Sequence, residues 1–125
     1  MHLIDTHTLI WSLLDSDNLS DTAKEMMTDG SKVFVSVVSL WEIAIKQSIN
    51  KINIKYSIEE IAGMCVKAKI NVLPIDAKHL DKIKTLPTIH NDPFDRLIIA
   101  QAITEGMDII TKDNIIPKYD VVTLW

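Results

Sequence analysis

The chain has 125 residues, 47% of them hydrophobic, with three glycines and four prolines, the composition of a compact globular protein with a real core rather than a disordered one. Thirteen basic and seventeen acidic residues leave a net charge of −4, which excludes a protein that coats duplex nucleic acid through a broad basic surface. No apolar run approaches the roughly 20 residues that span a bilayer, no export signal is visible at the start, and the lone Cys65 suits a reducing compartment. The expectation is a cytoplasmic protein without membrane contact, built as one domain over residues 1–125.

In chain order, Met1 to Ile4 reads as a strand ending at Asp5, and Thr6 to Leu14 as a helix with Leu9, Ile10, Leu13 and Leu14 inward. Ser20 to Met27 is a second helix, capped by Ser20 or Asp21 and closed by Asp29-Gly30. Val33 to Val35 is a β-rich run, and Val38 to Ile49 is helical, with Val38, Trp41, Ile45 and Ile49 on one side. Lys51 to Tyr56 is ambiguous, with Ile52 and Ile54 alternating as in an extended link. Ser57-Ile58-Glu59-Glu60 matches a capping box opening a helix to about Lys69. Asn71 to Ile75 is a strand whose Pro74 marks its end or an edge, and Asp76 to Leu86 is a short helix.

The next helix opens with the most informative stretch, His90-Asn91-Asp92-Pro93-Phe94-Asp95-Arg96. Asp92 suits the N-cap, Pro93 the first helical position, and Asp95 the first turn, where the helix dipole favours negative charge. Asp95 also shares a face with Ile98, Ile99 and Ala102, and a carboxylate aimed at an apolar face needs a partner. Met107 to Thr111 is a strand after the turn at Gly106, Lys112-Asp113-Asn114 a loop, and Val121 to Leu124 a last strand. Strands alternating with helices predict an α/β fold with a mainly parallel sheet flanked by helices.

Sites in such sheets form at the carboxyl ends of the strands, and four acids fall there: Asp5, Glu42, Asp95 and Asp113. Each also has an ordinary structural reading. Asp5 suits a helix cap, Glu42 completes a capping box with Ser39, and Asp113 beside Asn114 is a natural turn residue. Taken together, convergent carboxylates call for a hard divalent cation. Mg²⁺ takes oxygen ligands at about 2.0–2.1 Å and needs only one or two direct carboxylates besides substrate phosphate. The chemistry implied is phosphodiester hydrolysis.

Arg96 is the only arginine beside twelve lysines and suits either an RNA phosphate or a neighbouring acid. Lys46, Lys51 and Lys55 read as a basic rim or a solvated helix face. His2, His7, His79 and His90 lack paired zinc spacing, so a structural role is favoured for them, with His90 kept as an orienting group. Trp11, Trp41 and Trp125 read as core.

With these residues in view, the chain resembles PIN-domain proteins, and among them the ribonuclease toxins of bacterial VapBC toxin-antitoxin pairs. The resemblance rests on Leu3-Ile4-Asp5-Thr6-His7, Ser39-Leu40-Trp41-Glu42-Ile43, the block from His90 to Ala102, and Ile110-Thr111-Lys112-Asp113, in that order and spacing. It implies a Rossmann-like fold, metal binding by Asp5, Glu42, Asp95 and Asp113, and supporting roles for Thr6, Asp92 and Thr111. It further implies Mg²⁺ or Mn²⁺ as cofactor, single-stranded or structured RNA cut endonucleolytically, a homodimer, and a cognate antitoxin that covers the site. The chain departs from the family at Asn91, where relatives often carry a basic residue, and at Asn114-Ile115-Ile116, which lacks an aromatic after the last acid. Two rival readings are a non-catalytic binding module of the same fold and a receiver-type phosphoacceptor domain. The second needs an acid pair after the first strand and an acceptor aspartate near mid-chain, and neither His2 to His7 nor Lys51 to Tyr56 provides them.

Overall fold

The structure, a computed structural model, describes residues Met1 to Trp125. Strand β1 (His2–Ile4) leads into α1 (Thr6–Leu14), and α2 (Asp21–Thr28) leads into β2 (Val33–Ser36) and α3 (Val37–Ser48). After an irregular link over 49–57 come α4 (Ile58–Lys67), β3 (Ile70–Leu73), α5 (Ala77–Ile83) and α6 (Pro93–Glu105). Strands β4 (Asp108–Ile110) and β5 (Thr123–Leu124) close the chain, with short 3-10 turns over Ser16–Asn18 and Ile116–Lys118. The sequence pattern does not announce those two turns.

The five strands form one sheet in the order β3-β2-β1-β4-β5, with every neighbouring pair parallel. Period-two alternation sends successive side chains to opposite faces. Ile4, Val33, Val35 and Ile110 point into one core with Leu9, Ala23, Leu40, Ile43, Ile61 and Cys65. Leu3 and Ile109 point into the other, with Ile98, Ile99, Ala102 and Met107 of the α6 side. Covering both faces explains why the strands read as continuous apolar runs.

The caps follow the sequence closely. Ser20 accepts from Ala23 N, Ser57 and Glu60 form the reciprocal capping box, and Asp92 accepts from Phe94 N at 2.9 Å with Pro93 opening α6. Gly106 ends α6 in the left-handed region, at φ 68°, which a glycine adopts without a Cβ clash. Strand β3 lies at the sheet edge and stops before Pro74, so both expectations for that proline hold.

Helix α3 departs from expectation. Its N-cap is Ser36, so Ser39 to Glu42 lies inside the helix and forms no capping box. The inward residues are Val38, Leu40 and Ile43, whereas Trp41 is 56% exposed and Ile49 53% exposed. Because α3 touches α1, α4 and α6 as well as β2, the widest apolar stripe is not the one that faces the core. Trp41 is therefore a surface residue, packed edge-on against Phe94; Trp11 and Trp125 pack against the core as expected. No helix is long and apolar enough to cross a membrane.

Helix α6 is buried around its whole circumference from Leu97 to Ala102. Ile98→Ala is expected to lower unfolding free energy by about 2–5 kcal/mol in a urea titration, through lost transfer energy and the cavity left behind.

Candidate active site

Strand order reverses around β1: the chain moves out through β2 and β3, then crosses to β4 on the other side. The carboxyl end of β1 is thus the switch point at which a crevice forms. A cleft of about 550 Å³ opens there, lined by Asp5, Glu42, Asp92, Asp95 and Asp113, with Thr6, Lys46 and His90 between them. All four acids expected from the sequence meet in this cleft.

Asp5 is buried and tightly held. Its Oδ1 accepts from Thr8 N at 3.0 Å and Thr8 Oγ1 at 2.6 Å, and its Oδ2 from Thr111 Oγ1 at 2.5 Å. Thr111 Oγ1 in turn accepts from Asp113 N at 3.0 Å, linking β4 to the loop behind it. Glu42, also buried, accepts from Thr6 Oγ1 at 2.7 Å, and Thr6 Oγ1 lies 2.9 Å from Ser39 Oγ. The other Glu42 oxygen pairs with Lys46 Nζ at 2.6 Å. Asp113 Oδ2 accepts from Ile115 N and Ile116 N, both at 2.8 Å, so it closes its own turn while facing the cleft.

Asp95 differs from these three. No hydroxyl, lysine or backbone N–H satisfies its carboxylate; its nearest polar neighbour is His90 Nε2, 3.0 Å from Oδ2 but out of line for a good hydrogen bond. His90 Nδ1 accepts from Asp92 N at 3.2 Å, which leaves the ring proton on Nε2, facing Asp95 and, at 3.7 Å, Asp113. Burial, and then the charges of Asp92, Asp5, Glu42 and Asp113, push the Asp95 carboxyl up to about 7.

Some residues sit elsewhere than expected. Arg96 contacts no carboxylate and does not line the cleft. Its guanidinium donates to Pro87 O at 2.9 Å, Tyr119 Oη at 3.2 Å and Ile83 O at 3.4 Å, clamping the end of α5 and the following loop. Tyr119 Oη also accepts from His90 N at 2.7 Å and donates to Pro87 O, so Arg96 and Tyr119 together hold the segment that carries His90. Of the three lysines read as a basic rim or a solvated helix face, Lys46 reaches the cleft, and Lys51 and Lys55 are solvated. Lys112, His7, Trp11 and Asn114 line it instead. Thr8 also went unnoticed in the sequence, although its place three residues after a helix-capping aspartate is the signal that finds it.

The site accepts a hard cation on its own chemistry. Its donors are carboxylate and hydroxyl oxygens, and Asp95 is crowded by like charge without a balancing donor. His90, Asp95 and Asp113 also bring one candidate ligand atom each within 4.8 Å of one another.

The PIN domain family model matches residues 2–122 of the chain. The chain belongs to the PIN domain family. Among curated proteins it is similar to Ribonuclease VapC22 of Mycobacterium tuberculosis, 23% identical over 98% of this chain and 97% of that one. Among solved structures it is similar to VapBC2 from Rickettsia felis bound to a DNA fragment from their promoter, with a TM-score of 0.70 and 15% identity over 98% of this chain and 96% of that one. It is also similar to Mycobacterium tuberculosis VapC20, described as a sarcin-ricin loop cleaving toxin, with a TM-score of 0.62 and 15% identity over 94% of each chain. Membership of the PIN family excludes the receiver-type reading, and the Rossmann-like PIN fold expected from the motifs is the fold observed.

Because the folded-state pKa of Asp95 lies above its ordinary value of 3.8, the stability linked to it is present in full below that value and is lost as pH rises through about 7. In EDTA the protein is therefore expected to melt at a lower temperature at pH 8 than at pH 5.5. Asp95→Asn, which removes the charge, should melt several degrees above the wild type at pH 8, a gain on the order of a few kcal/mol. Calorimetry that places the variant below the wild type at pH 8 refutes the crowding.

Proposed function

We propose that this PIN domain is a metal-dependent endoribonuclease, the toxin of a type II toxin-antitoxin pair, which hydrolyses RNA phosphodiester bonds at the acid cluster. The observation that carries the reading is the convergence of Asp5, Glu42, Asp95 and Asp113 on one open cleft, with Asp95 crowded and unbalanced. A pocket that favours a cation and opens to solvent suits a substrate that brings its own negative charge. Support also comes from the relatives: VapC22 is named a ribonuclease, and VapC20 a toxin that cleaves the sarcin-ricin loop.

In this reading Asp5, Glu42, Asp95 and Asp113 hold Mg²⁺ or Mn²⁺. Bound there, such an ion lowers the pKa of a water and offsets the charge that develops on the phosphodiester in the transition state. The chain's own groups do the positioning. Thr8 and Thr111 fix both oxygens of Asp5, so it cannot rotate when substrate arrives. Thr6 orients Glu42 through one oxygen, and Lys46 at 2.6 Å holds the other. Asp92 caps α6 and thereby sets the direction of Asp95. His90 turns its Nε2–H toward Asp95 and Asp113, at 3.0 and 3.7 Å, and lines the side of the cleft where those two acids meet.

We infer a cognate antitoxin that covers the cleft, a second copy of the chain as homodimer partner, and action in the cytoplasm. The VapBC2 pair bound to its own promoter DNA supports an antitoxin partner.

The test is cleavage of a mixture of RNAs by the purified chain in Mg²⁺, Mn²⁺ or EDTA, together with Mn²⁺ binding followed by calorimetry. Cutting that requires metal, and that falls by about 100-fold or more in Asp5→Asn and Asp95→Asn while their folds persist, is the expected result. A folded protein that neither binds Mn²⁺ nor cuts any RNA overturns the reading in favour of a non-catalytic binding module.

A further inference from the structure

One wall of the cleft is built from neither acids nor their supporting hydroxyls. His7 and Trp11 stand four residues apart on α1, so they share a face, and their rings lie 5.6 Å apart with a tilt of 37°. Trp11 is anchored from behind by Trp125, at 5.7 Å, and by the core around Leu9 and Ile43. His7 is exposed, an aromatic ring held at the cleft wall by a rigid one. Lys112, next to Asp113, sits with its ammonium 5.9 Å from the Trp11 ring centre, within cation–π range, and pairs with no carboxylate. Trp11 is the single apolar side chain lining a cleft that is otherwise polar.

We propose that His7, Trp11 and Lys112 form a nucleotide subsite beside the acid cluster. In it the exposed face of His7, backed by Trp11, stacks on a nucleobase of single-stranded RNA, and Lys112 pairs with a flanking phosphate. The proposal rests on the ribonuclease reading and says which part of the substrate meets which wall. A chain with net charge −4 cannot gather a polyanion through its overall field, so affinity must come from local contacts. Lys46 is committed to Glu42, which leaves Lys112 as the cation at the cleft free to meet a phosphate. Stacking tolerates any base, because every base presents a π-face, and it complements an ion that recognises only phosphate. The cleft thus offers an acidic floor that would meet phosphate through a bound cation, an aromatic wall and a lysine at its rim, which matches the phosphate, base and next phosphate of one strand.

The test is fluorescence anisotropy with a fluorescein-labelled, eight-nucleotide single-stranded RNA, in Ca²⁺ so that binding is read without turnover. His7→Ala should weaken binding about tenfold, and His7→Phe, which keeps the ring and loses the imidazole, should restore it. Lys112→Ala should weaken binding and reduce the slope of log affinity against log salt by about one. Both positions are exposed, so folding is unaffected, and Mn²⁺ affinity should not change in any of the three variants. His7→Ala binding like the wild type, or His7→Phe failing to restore binding, overturns the stacking role. If the wild type binds and cuts RNA while these variants match it, this subsite fails and the nuclease reading stands; if the wild type neither binds nor cuts RNA, both fail.

Discussion

Mutual repulsion among carboxylates packed around Asp95 is the constraint on which the rest of the structure depends. Carboxylates left to themselves spread into water, yet here Asp5 and Glu42 are buried, and their charges act on Asp95 in the same cleft. The fold offsets this cost by covalent and packing means rather than by neutralisation, since Lys46 is the only lysine bonded to any of the cleft acids. Asp5 follows β1, which is central in the sheet, and Asp95 rides on α6, whose residues Leu97 to Ala102 are buried on every side. Neither backbone can move without opening a core. Helix N-termini help, because α1 begins at Asp5 and α6 at Asp92, and the positive end of each helix lies where the charge collects.

Structural and functional roles coincide in these acids rather than compete. Asp5 caps α1, Asp92 caps α6 and Asp113 closes a turn, so each has the ordinary use that its place in the sequence suggests. A carboxylate oxygen has two lone pairs, so one backbone N–H leaves it able to accept again. The same hydrogen bond that ends a strand or starts a helix thereby fixes the direction of the charge. Glu42 and Asp95 have no such duty, but Glu42 is held by Thr6 and Lys46, whereas Asp95 has no comparable partner. Its cost in the metal-free protein is correspondingly unbalanced, and this makes it the residue through which proton and cation compete most directly.

How much of this was legible in the sequence depended on the range of the interaction that decides each residue. Asp92-Pro93, Ser57 to Glu60 and Asp5-Thr6 are resolved by neighbours within four residues, and the observed caps agree with them. The alternation of strands and helices gave the layer order for the same reason. Trp41 was misread because α3 packs against three helices at once, and an apolar stripe counted along one helix does not say which side its neighbours occupy. Arg96 was weighed between phosphate and carboxylate, yet it binds the carbonyls of Ile83 and Pro87, acceptors that every residue carries and no sequence pattern marks. His90 was legible as an orienting group or a structural residue, with no sequence signal to say what it faces. Its tautomer follows from the Asp92 N–H, a contact that exists once α6 has formed.

These contrasts divide the cleft into a fixed floor and an adjustable rim. Of the floor acids, Asp5, Glu42 and Asp113 are held by short hydrogen bonds to threonines or backbone, and Asp95 is placed by the buried helix behind it, so a substitution there disturbs the packing as well as the charge. His7 and Lys112 are exposed and bonded to no floor acid, so they can change without strain in the core. A floor so constrained can specify the chemistry but has little freedom to specify the target. If the proposed nuclease reading holds, discrimination among RNAs would fall to the rim, where one aromatic ring or one lysine would alter the fit of a strand while the acids stay in place.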